Sequence, residues 1–347
     1  MSAGTVLVTG AGGFVGSAVV RALVDAMDRS AARFADGSPV ERVVALLRPG
    51  ASTERLDDLP AEPRSWSLEY ADMSEGAELL RLLQRVRPRA ILHLALHQAI
   101  FREMSPAEKH RFNVVPLATM FEALRAVPGA RFIHTSSAWV LQPGIRLDES
   151  AAVEPRMPYA EHKAEMDRLL LELGARTGVS WINLRLFNIF GKYESPSRLL
   201  PYLVSTLTRG ERANLSHGEQ VRDFNDAEHV AQAYVRALAA ENGACGRVYH
   251  IGSGISTTTR AFAMAVAAVT GNAELLRFGE RNTPDQQAPC LVADPSRAGR
   301  LLNWIPETDL AARIRAAVFW WLWRLGRSTV PNIGKISGLV GPAAPFG

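Results

Sequence analysis

The feature that most constrains this chain is a glycine-rich loop between an apolar segment and a helical pattern near its N-terminus. Residues 4–9 (GTVLVT) predict a buried strand, and residues 17–25 (SAVVRALVD) have the apolar spacing of an amphipathic helix. Between them lie Gly10, Gly13 and Gly16, which permit a tight turn, a close approach of backbone N–H groups to a pyrophosphate, and close helix–strand packing. Because a helix N-terminus also attracts anions, this context predicts a dinucleotide-binding site.

Strand-like apolar segments alternate with helical patterns through the first half of the chain. The predicted strands include residues 40–47, 66–69, 90–96 and 130–135, and the predicted helices include residues 76–86 and 107–126. Such alternation is typical of parallel strands joined by crossover helices. We therefore predict an α/β protein with a Rossmann-type, doubly wound parallel sheet.

Beyond about residue 185 the alternation of strand-like and helical segments is less regular, which indicates a smaller C-terminal α/β lobe that binds substrate. A helical run at 230–239 and a strand-like segment at 247–251 are expected to return to the first unit. The predicted division is residues 1–185 plus about 225–255 for the nucleotide-binding domain, residues 186–224 plus about 256–325 for the lobe, and residues 326–347, rich in Gly and Pro, for a loosely ordered tail.

The composition argues against several classes of protein. At 347 residues with 47% hydrophobic content, the chain can bury a full core. The formal charge of +4 is mild and the basic residues are scattered, which argues against a nucleic-acid partner and suits small anionic ligands. Cys245 and Cys290 lie far apart, and no export or membrane-spanning segment is evident. We therefore expect a cytoplasmic protein with no membrane partner.

Two further groups of residues have a structural and a functional interpretation. The aromatic run at 319–323 (FWWLW) follows a helical pattern, and packing into the small lobe is favoured over a membrane-surface or partner contact. The histidines His93, His97, His134 and His250 do not have metal-ligand spacing, so no metal site is predicted.

The end of the second predicted strand bears on the choice of cofactor. Dinucleotide folds that prefer NAD place an acidic residue there, whereas this chain has Leu47 followed by Arg48. A guanidinium can pair with a 2′-phosphate, so NADP(H) is favoured over NAD(H). The alternative is that Arg48 is a solvent-facing loop arginine with no role in binding. After the third strand, Asp72 is positioned to accept a hydrogen bond from an adenine amino group while Met73 covers the ring; an exposed turn aspartate is the alternative.

A tyrosine and a lysine spaced four residues apart suggest acid–base chemistry. Tyr159 and Lys163 lie on one face of a predicted helix, so both can point into one cleft. The ammonium is expected to lower the pKa of the phenol, which would serve as an acid in carbonyl reduction or as a base in alcohol oxidation. The spacing alone is common on helices. Upstream, however, a predicted strand over 131–137 ends in hydroxyl residues, and the carboxyl ends of parallel strands build active sites. Ser137 can therefore hydrogen-bond a substrate oxygen beside Tyr159.

These motifs together resemble the extended short-chain dehydrogenase/reductase family, specifically its NAD(P)-dependent sugar-nucleotide epimerase, dehydratase and reductase branch. The resemblance covers about residues 4–323. Its marks are residues 9–16 (TGAGGFVG), Asp72, 93–95 (HLA), Asn113, 136–137 (SS), Tyr159 with Lys163, 185–191 (RLFNIFG), 220–224 (QVRDF), 248–254 (VYHIGSG) and 303–306 (NWIP).

The resemblance implies a role for each matching residue. Ser137, Tyr159 and Lys163 would be the catalytic trio, with Lys163 also holding the nicotinamide ribose, and Asn188 and Arg222 would contact the substrate nucleotide and its diphosphate. Together with the preceding arguments, it gives these cofactor-binding residues: Gly10, Gly13, Phe14, Val15, Gly16, Arg48, Asp72, Met73, Leu94, Ala95, Asn113, Tyr159 and Lys163. Members of the family are commonly dimers joined through the helices that bear residues like Asn113 and Tyr159, so a homodimer is expected.

Three departures from the family pattern bear on the reaction. Ala138 and Trp139 stand where 4,6-dehydratases carry an Asp-Glu pair, so water elimination is not expected. Leu141 replaces the family's tyrosine, and Lys192 replaces the usual proline after residues 188–191. These two changes concern the identity and pose of the sugar.

The leading hypothesis is an NADPH-dependent reductase of a nucleotide-linked keto-deoxysugar, acting at C4. The alternative is an NAD(P)-dependent sugar-nucleotide epimerase that uses the same trio for oxidation and then for reduction from the opposite face. A non-catalytic NADP(H)-sensing protein is the third, less favoured hypothesis, because Ser137, Tyr159 and Lys163 are all present.

Overall fold

A parallel sheet of seven strands, covered by helices on both faces, forms the centre of the molecule. The computed structural model describes residues 4–60, 65–97, 101–282 and 288–326. In spatial order, the strands are β12 (Arg247–Ile251), β7 (Ser180–Leu186), β5 (Arg131–Ser137), β4 (Ala90–His93), β1 (Thr5–Thr9), β2 (Arg42–Leu47) and β3 (Trp66–Tyr70). All neighbouring strands run parallel. The predicted Rossmann-type sheet is confirmed.

Some of the helices in the described part of the chain cover this sheet in two layers, and others pack away from it. The helices are α1 (Phe14–Asp28), α2 (Gly76–Val86), α3 (Pro106–Lys109), α4 (Val115–Arg125), α5 (Pro158–Thr177), α6 (Leu199–Thr208), α7 (Ala227–Ala239), α8 (Thr259–Thr270), α9 (Ser296–Leu302) and α10 (Leu310–Arg324). Val6 and Val8 face the core formed with α1 and α7, whereas Leu7 faces the core formed with α2, α4 and α5. Since side chains alternate along a strand, a sheet covered on both faces needs apolar residues at successive positions.

The remaining strands are short and lie mostly beyond β7. They are β6 (Gly144–Leu147), β8 (Ile189–Phe190), β9 (Ala213–Leu215), β10 (Val221–Arg222), β11 (Asn225–Asp226), β13 (Thr257–Thr258), β14 (Leu276–Phe278) and β15 (Cys290–Ala293). They form a four-stranded sheet in the order β13-β10-β15-β6 and two pairs, β11-β8 and β14-β9. A separate apolar core joins α6, α8 and α10 in this region. The predicted functional division of the chain stays a prediction, and residues 327–347 of the predicted tail lie outside the described residues.

The aromatic run at the end of the chain packs mainly as expected. Trp321 is 8% exposed in the core of α6, α8 and α10, and its indole N–H donates to the carbonyl oxygen of Gly191 at 3.1 Å. Trp320 lies 4.5 Å from the ring of Tyr193. Trp323 differs, because it is 70% exposed. In the part of the chain described, no helix is both long and apolar enough to cross a bilayer.

Two predicted elements differ from the structure. The predicted helix over 107–126 contains a five-residue π-helical turn, His110–Val114, between α3 and α4. Pro116 lies in the first turn of α4 and has no N–H to donate to the preceding turn, which accounts for a wider turn at this point. The predicted strand over 90–96 is shorter in the structure and ends at His93, and the N–H of Leu94 makes the last backbone hydrogen bond to β1, at the carbonyl oxygen of Thr9.

The junction between the main sheet and the smaller sheets is organised by a buried carboxylate. Asp223 is fully buried and accepts hydrogen bonds from the backbone N–H groups of Ser253, Gly254 and Ala293 at 2.8–3.1 Å. It also accepts hydrogen bonds from the Ser253 hydroxyl at 2.6 Å and the Asn225 amide at 3.0 Å. Burial raises the pKa of Asp223, and these donors oppose the rise. One side chain therefore links three segments of the chain, around residues 223–225, 253–254 and 293.

Helix α1 approaches the end of β1 too closely for any side chain larger than glycine. A Cβ atom at Gly16 would lie 2.1 Å from the carbonyl oxygen of Gly10, which is backbone and has little freedom to move. Gly10 has φ +68°, and a Cβ there would lie 2.7 Å from the Ala95 backbone. The glycine spacing therefore fixes both the turn and the helix contact.

We predict that Gly16→Ala destabilises the protein by about 1–3 kcal/mol, because the methyl group overpacks a backbone contact. Gly243→Ala is the matched control, since a Cβ at Gly243 would meet no atom within 4 Å. Urea unfolding at equilibrium measures both free energies. Equal stability of the two variants would contradict the packing argument.

Candidate active site

The loop after β1 leaves backbone N–H groups at the start of α1 facing outward. Gly13 caps the helix with no side-chain hydrogen bond, so Phe14, Val15 and Gly16 follow a bare N-terminus of the kind that binds phosphate. The side chain of Thr9 contacts the end of the neighbouring strand β4. Its hydroxyl lies 2.8 Å from His93 Nδ1 and accepts the N–H of Ala95 at 3.3 Å.

The segment after β2 holds the arginine predicted to select the cofactor phosphate. Leu47 is 3% exposed and packs into the core, whereas Arg48 is exposed. Among the described residues, the Arg48 guanidinium makes no hydrogen bond or ion pair. It is thus available to an anion at the end of β2.

The residues predicted to meet adenine lie after β3. Asp72 Oδ1 accepts hydrogen bonds from the backbone N–H and the hydroxyl of Ser74 at 2.9 and 2.8 Å. Burial raises the pKa of Asp72, but the hydrogen bonds from Ser74 outweigh it and the pKa lies below its usual value. Asp72 therefore organises a turn, and Met73 packs against the core beside α2 and α4. Their contact with adenine stays a prediction.

The predicted catalytic trio converges at the carboxyl end of β5. Pro158 begins α5, which puts Tyr159 in its first turn and Lys163 one turn later. Lys163 is 2% exposed, and its Nζ donates to the carbonyl oxygen of Thr135 at 2.7 Å. Ser137 ends β5 and is 4% exposed. Its hydroxyl oxygen accepts the backbone N–H of Trp139 at 3.3 Å, and the neighbouring Ser137 side chain acts to lower the pKa of Tyr159.

The protonation of this trio differs from the sequence-based expectation. Burial raises the pKa of Tyr159, while Ser137 and the charge of Arg198 oppose the rise. Burial also lowers the pKa of Lys163 to about 8. The prediction that Lys163 lowers the pKa of Tyr159 is therefore wrong here, because desolvation exceeds the effect of nearby charges. Tyr159 is a neutral phenol, that is, a proton donor.

A buried carboxylate that the sequence analysis did not identify supports α5. Asp167 is 7% exposed and lies one turn after Lys163. It accepts hydrogen bonds from Ser136 at 3.0 Å, from Asn183 at 2.9 Å and from two nitrogens of Arg185 at 3.1 and 3.2 Å. Its charge also opposes the lowering of the Lys163 pKa. The i, i+4 spacing from Lys163 is the signal that points to it.

The predicted substrate residues occupy the side of the site formed by the short strands. Asn188 is half-buried between β7 and β8, and its carbonyl accepts the N–H of Asn225 at 2.7 Å. Arg222 is 5% exposed and donates to the carbonyl of Val221 at 2.9 Å. Its guanidinium lies 5.1 Å from the ring centre of Trp139. Burial lowers the pKa of Arg222 to about 10.

Asn113 lies in the π-helical turn before α4. It is 7% exposed, and within the described ranges its amide nitrogen has no hydrogen-bond partner. A buried amide without a partner is uncommon, so Asn113 is suited to hold a ligand or a bridging water. The same ranges contain no group of three or more potential metal-binding side chains.

Comparisons with known proteins agree with this arrangement. The model of the NAD dependent epimerase/dehydratase family matches residues 6–252. A dTDP-glucose 4,6-dehydratase of Salmonella typhimurium is 25% identical over 351 residues, covering 91% of this chain and 92% of the relative. A UDP-glucose 4-epimerase of Mycolicibacterium smegmatis is 28% identical over 322 residues, covering 90% and 96%.

Solved structures share the fold over most of their length. A dTDP-glucose 4,6-dehydratase from Streptomyces venezuelae with NAD bound has a TM-score of 0.79 at 25% identity and covers 93% of this chain and 98% of its own. A UDP-glucuronic acid 4-epimerase from Bacillus cereus, in complex with UDP-glucuronic acid and NAD, has a TM-score of 0.78 at 21% identity, covering 92% and 99%.

We predict that Asp167→Asn lowers the free energy of unfolding by about 3–5 kcal/mol, because it leaves the Arg185 guanidinium buried without a counter-charge. The control is Asp25→Asn, which removes one partner of the exposed Asp25–Arg29 pair and is expected to cost less than about 1 kcal/mol. Guanidinium unfolding compares the two. A loss for Asp167→Asn as small as that of the control would rule out a structural role for the buried ion pair.

Proposed function

The chain belongs to the NAD dependent epimerase/dehydratase family, and we propose that it is an NADPH-dependent reductase of a nucleotide-linked keto-deoxysugar, acting at C4. The family is one of extended short-chain dehydrogenase/reductase enzymes that bind a pyridine nucleotide. The observation that carries the proposal is the placement of Tyr159, Ser137 and the buried Lys163 at the carboxyl end of β5 and the start of α5. A ketone reduction needs a proton donor at this point.

The residues of the site have complementary tasks in such a reduction. The bound cofactor supplies the hydride that reaches the carbonyl carbon. Tyr159 gives its proton to the carbonyl oxygen, and Ser137 donates a hydrogen bond that stabilises the charge developing there. Lys163 keeps one N–H on Thr135 and has further N–H groups for a ribose hydroxyl.

The choice of NADP(H) rests on Arg48. An exposed guanidinium at the end of β2 suits a 2′-phosphate, and Leu47 offers no acceptor to ribose hydroxyls. The similar structures were solved with NAD, so NAD(H) is the alternative cofactor.

Epimerisation is the second candidate function, and the specific observation in its favour is the similarity to UDP-glucose 4-epimerases. It would use the same trio for oxidation and then reduction, without net consumption of cofactor. Dehydration is less favoured although dehydratases are among the relatives, because Ala138 and Trp139 follow Ser137 and neither can move a proton. A non-catalytic NADP(H)-sensing role is also less favoured, because it would not require Ser137, Tyr159 and Lys163.

Assembly and location are part of the proposal. We propose a homodimer through α4 and α5. The π-helical turn that precedes α4 and the outer face of α5 border a cavity of about 300 Å³, and Leu171 on α5 is 51% exposed. The two free cysteines, Cys245 and Cys290, suit a reducing compartment such as the cytoplasm.

We predict that Tyr159→Phe lowers kcat for NADPH oxidation by a factor of about 10²–10⁴ with a nucleotide-linked 4-keto-6-deoxysugar, because the general acid is removed. Tyr70→Phe, at an exposed tyrosine at the end of β3, is the control and is expected to retain full activity. Absorbance at the NADPH band follows the reaction. Product formed without net NADPH oxidation would transfer the assignment to the epimerase.

We predict that Arg48→Glu weakens NADPH binding about 10- to 100-fold and leaves NADH binding within a few-fold, since a charged hydrogen bond is worth about 1.5–3 kcal/mol. Arg81→Glu, an exposed arginine on α2, controls for the change of net charge. Fluorescence titration with each nucleotide gives the dissociation constants. Equal losses for both nucleotides would show that Arg48 does not read the 2′-phosphate.

A further inference from the structure

We propose that Phe101 and Trp139 are specificity-determining residues, which form apolar walls beside the catalytic pair and select a sugar with few hydroxyl groups, namely a deoxyhexose. The inference rests on the proposed function, because it assumes that a nucleotide-linked sugar occupies the site. It concerns the face of the sugar, not the nucleotide or the hydride transfer.

Phe101 lies directly against the catalytic tyrosine. Its ring centre is 5.4 Å from that of Tyr159, and the two planes differ by only 8°. Phe101 is nevertheless 69% exposed. A large apolar side chain so exposed beside a catalytic group provides surface that a ligand can cover, with a gain of about 25 cal/mol for each Å² of apolar area removed from water.

Trp139 has the equivalent position beside the catalytic serine. Its backbone N–H donates to Ser137 Oγ at 3.3 Å, which holds the Trp139 main chain beside the catalytic serine. One part of the half-buried indole packs against a small core that includes Leu141 and Leu291. The ring also stacks with the Arg222 guanidinium at 5.1 Å. The indole therefore has a fixed orientation before any substrate binds.

The charges around these rings suit the rest of such a ligand. Arg222 contacts Trp139, and the charge of Arg198 acts on Tyr159. Guanidinium groups match a diphosphate, so the charged part of the substrate has partners next to the apolar walls. Residues 138–147 contain no acidic side chain that could accept a hydrogen bond from a sugar hydroxyl group.

Apolar side chains discriminate between sugars because they leave a sugar hydroxyl group without a hydrogen-bond partner. A hydroxyl group that packs against an aromatic ring loses its hydrogen bonds to water and gains no partner, which weakens binding. The C–H face of a deoxysugar has no such cost and can pack on the ring. A preference of about tenfold for the deoxysugar is expected from this difference.

The test compares binding of dTDP, dTDP-glucose and dTDP-6-deoxyglucose, and of the corresponding UDP compounds, to the NADP⁺-loaded full chain by calorimetry. The wild-type protein is expected to bind the 6-deoxy sugar about tenfold more tightly than the glucose compound. Phe101→Ala and Trp139→Ala are expected to bring this ratio towards one. Phe101→Ala is expected to leave the affinity for the free nucleoside diphosphate unchanged, whereas Trp139→Ala also removes the ring that stacks with Arg222. Trp139→Phe keeps an aromatic wall and is expected to retain most of the preference.

Trp323→Ala is the matched control, because Trp323 is 70% exposed on α10. It is expected to leave every dissociation constant unchanged. If the wild type shows no preference, if the alanine variants keep it, or if Trp323→Ala removes it as well, the inference is overturned while the proposed function stands. If neither the nucleotide-linked sugars nor the free nucleoside diphosphates bind, the proposed function itself fails.

Discussion

The buried carboxylate of Asp167 is the interaction on which the geometry of the site depends. It joins α5 to two strands at once, through Ser136 of β5 and through Asn183 and Arg185 of β7. Because α5 carries Tyr159 and Lys163, these contacts set the height and rotation of both side chains above the sheet. Burying two charges is costly, and the cost is offset only when each has several well-aligned partners. Here the carboxylate has four donors, so the ion pair acts mainly as a positioning device.

The same low-polarity surroundings explain the protonation of the trio. Desolvation disfavours charge on either partner: it raises the pKa of Tyr159 and lowers that of Lys163 to about 8. The result is a tyrosine that keeps its proton until a substrate oxygen needs it, and a lysine whose charge is held by Asp167 and the Thr135 carbonyl. A neutral tyrosine at this position can serve as the acid of a carbonyl reduction, which is the direction that we propose.

Local patterns predicted the fold and much of the candidate site, whereas features that depend on tertiary contact were missed. The glycine loop and the Tyr159–Lys163 pair are readable because short-range spacing determines their geometry. The contact between α1 and the turn at Gly10 follows from spacing in the same way. The donors that surround Asp167 and the exposure of Trp323 depend on distant segments, so no local pattern reports them. The sign of the Tyr159 pKa shift was missed for the same reason, since burial is a property of the whole fold.

The hydrogen bond from Trp321 to Gly191 spans 130 positions of the chain. During synthesis, the loop that follows Asn188 leaves the ribosome long before the helix that completes it. At about 5–20 residues per second, the apolar surface reserved for α10 stays uncovered for on the order of ten seconds. A ribosome stalled before residue 310 would carry every strand of the seven-stranded sheet while the apolar core of α6 and α8 still lacked α10.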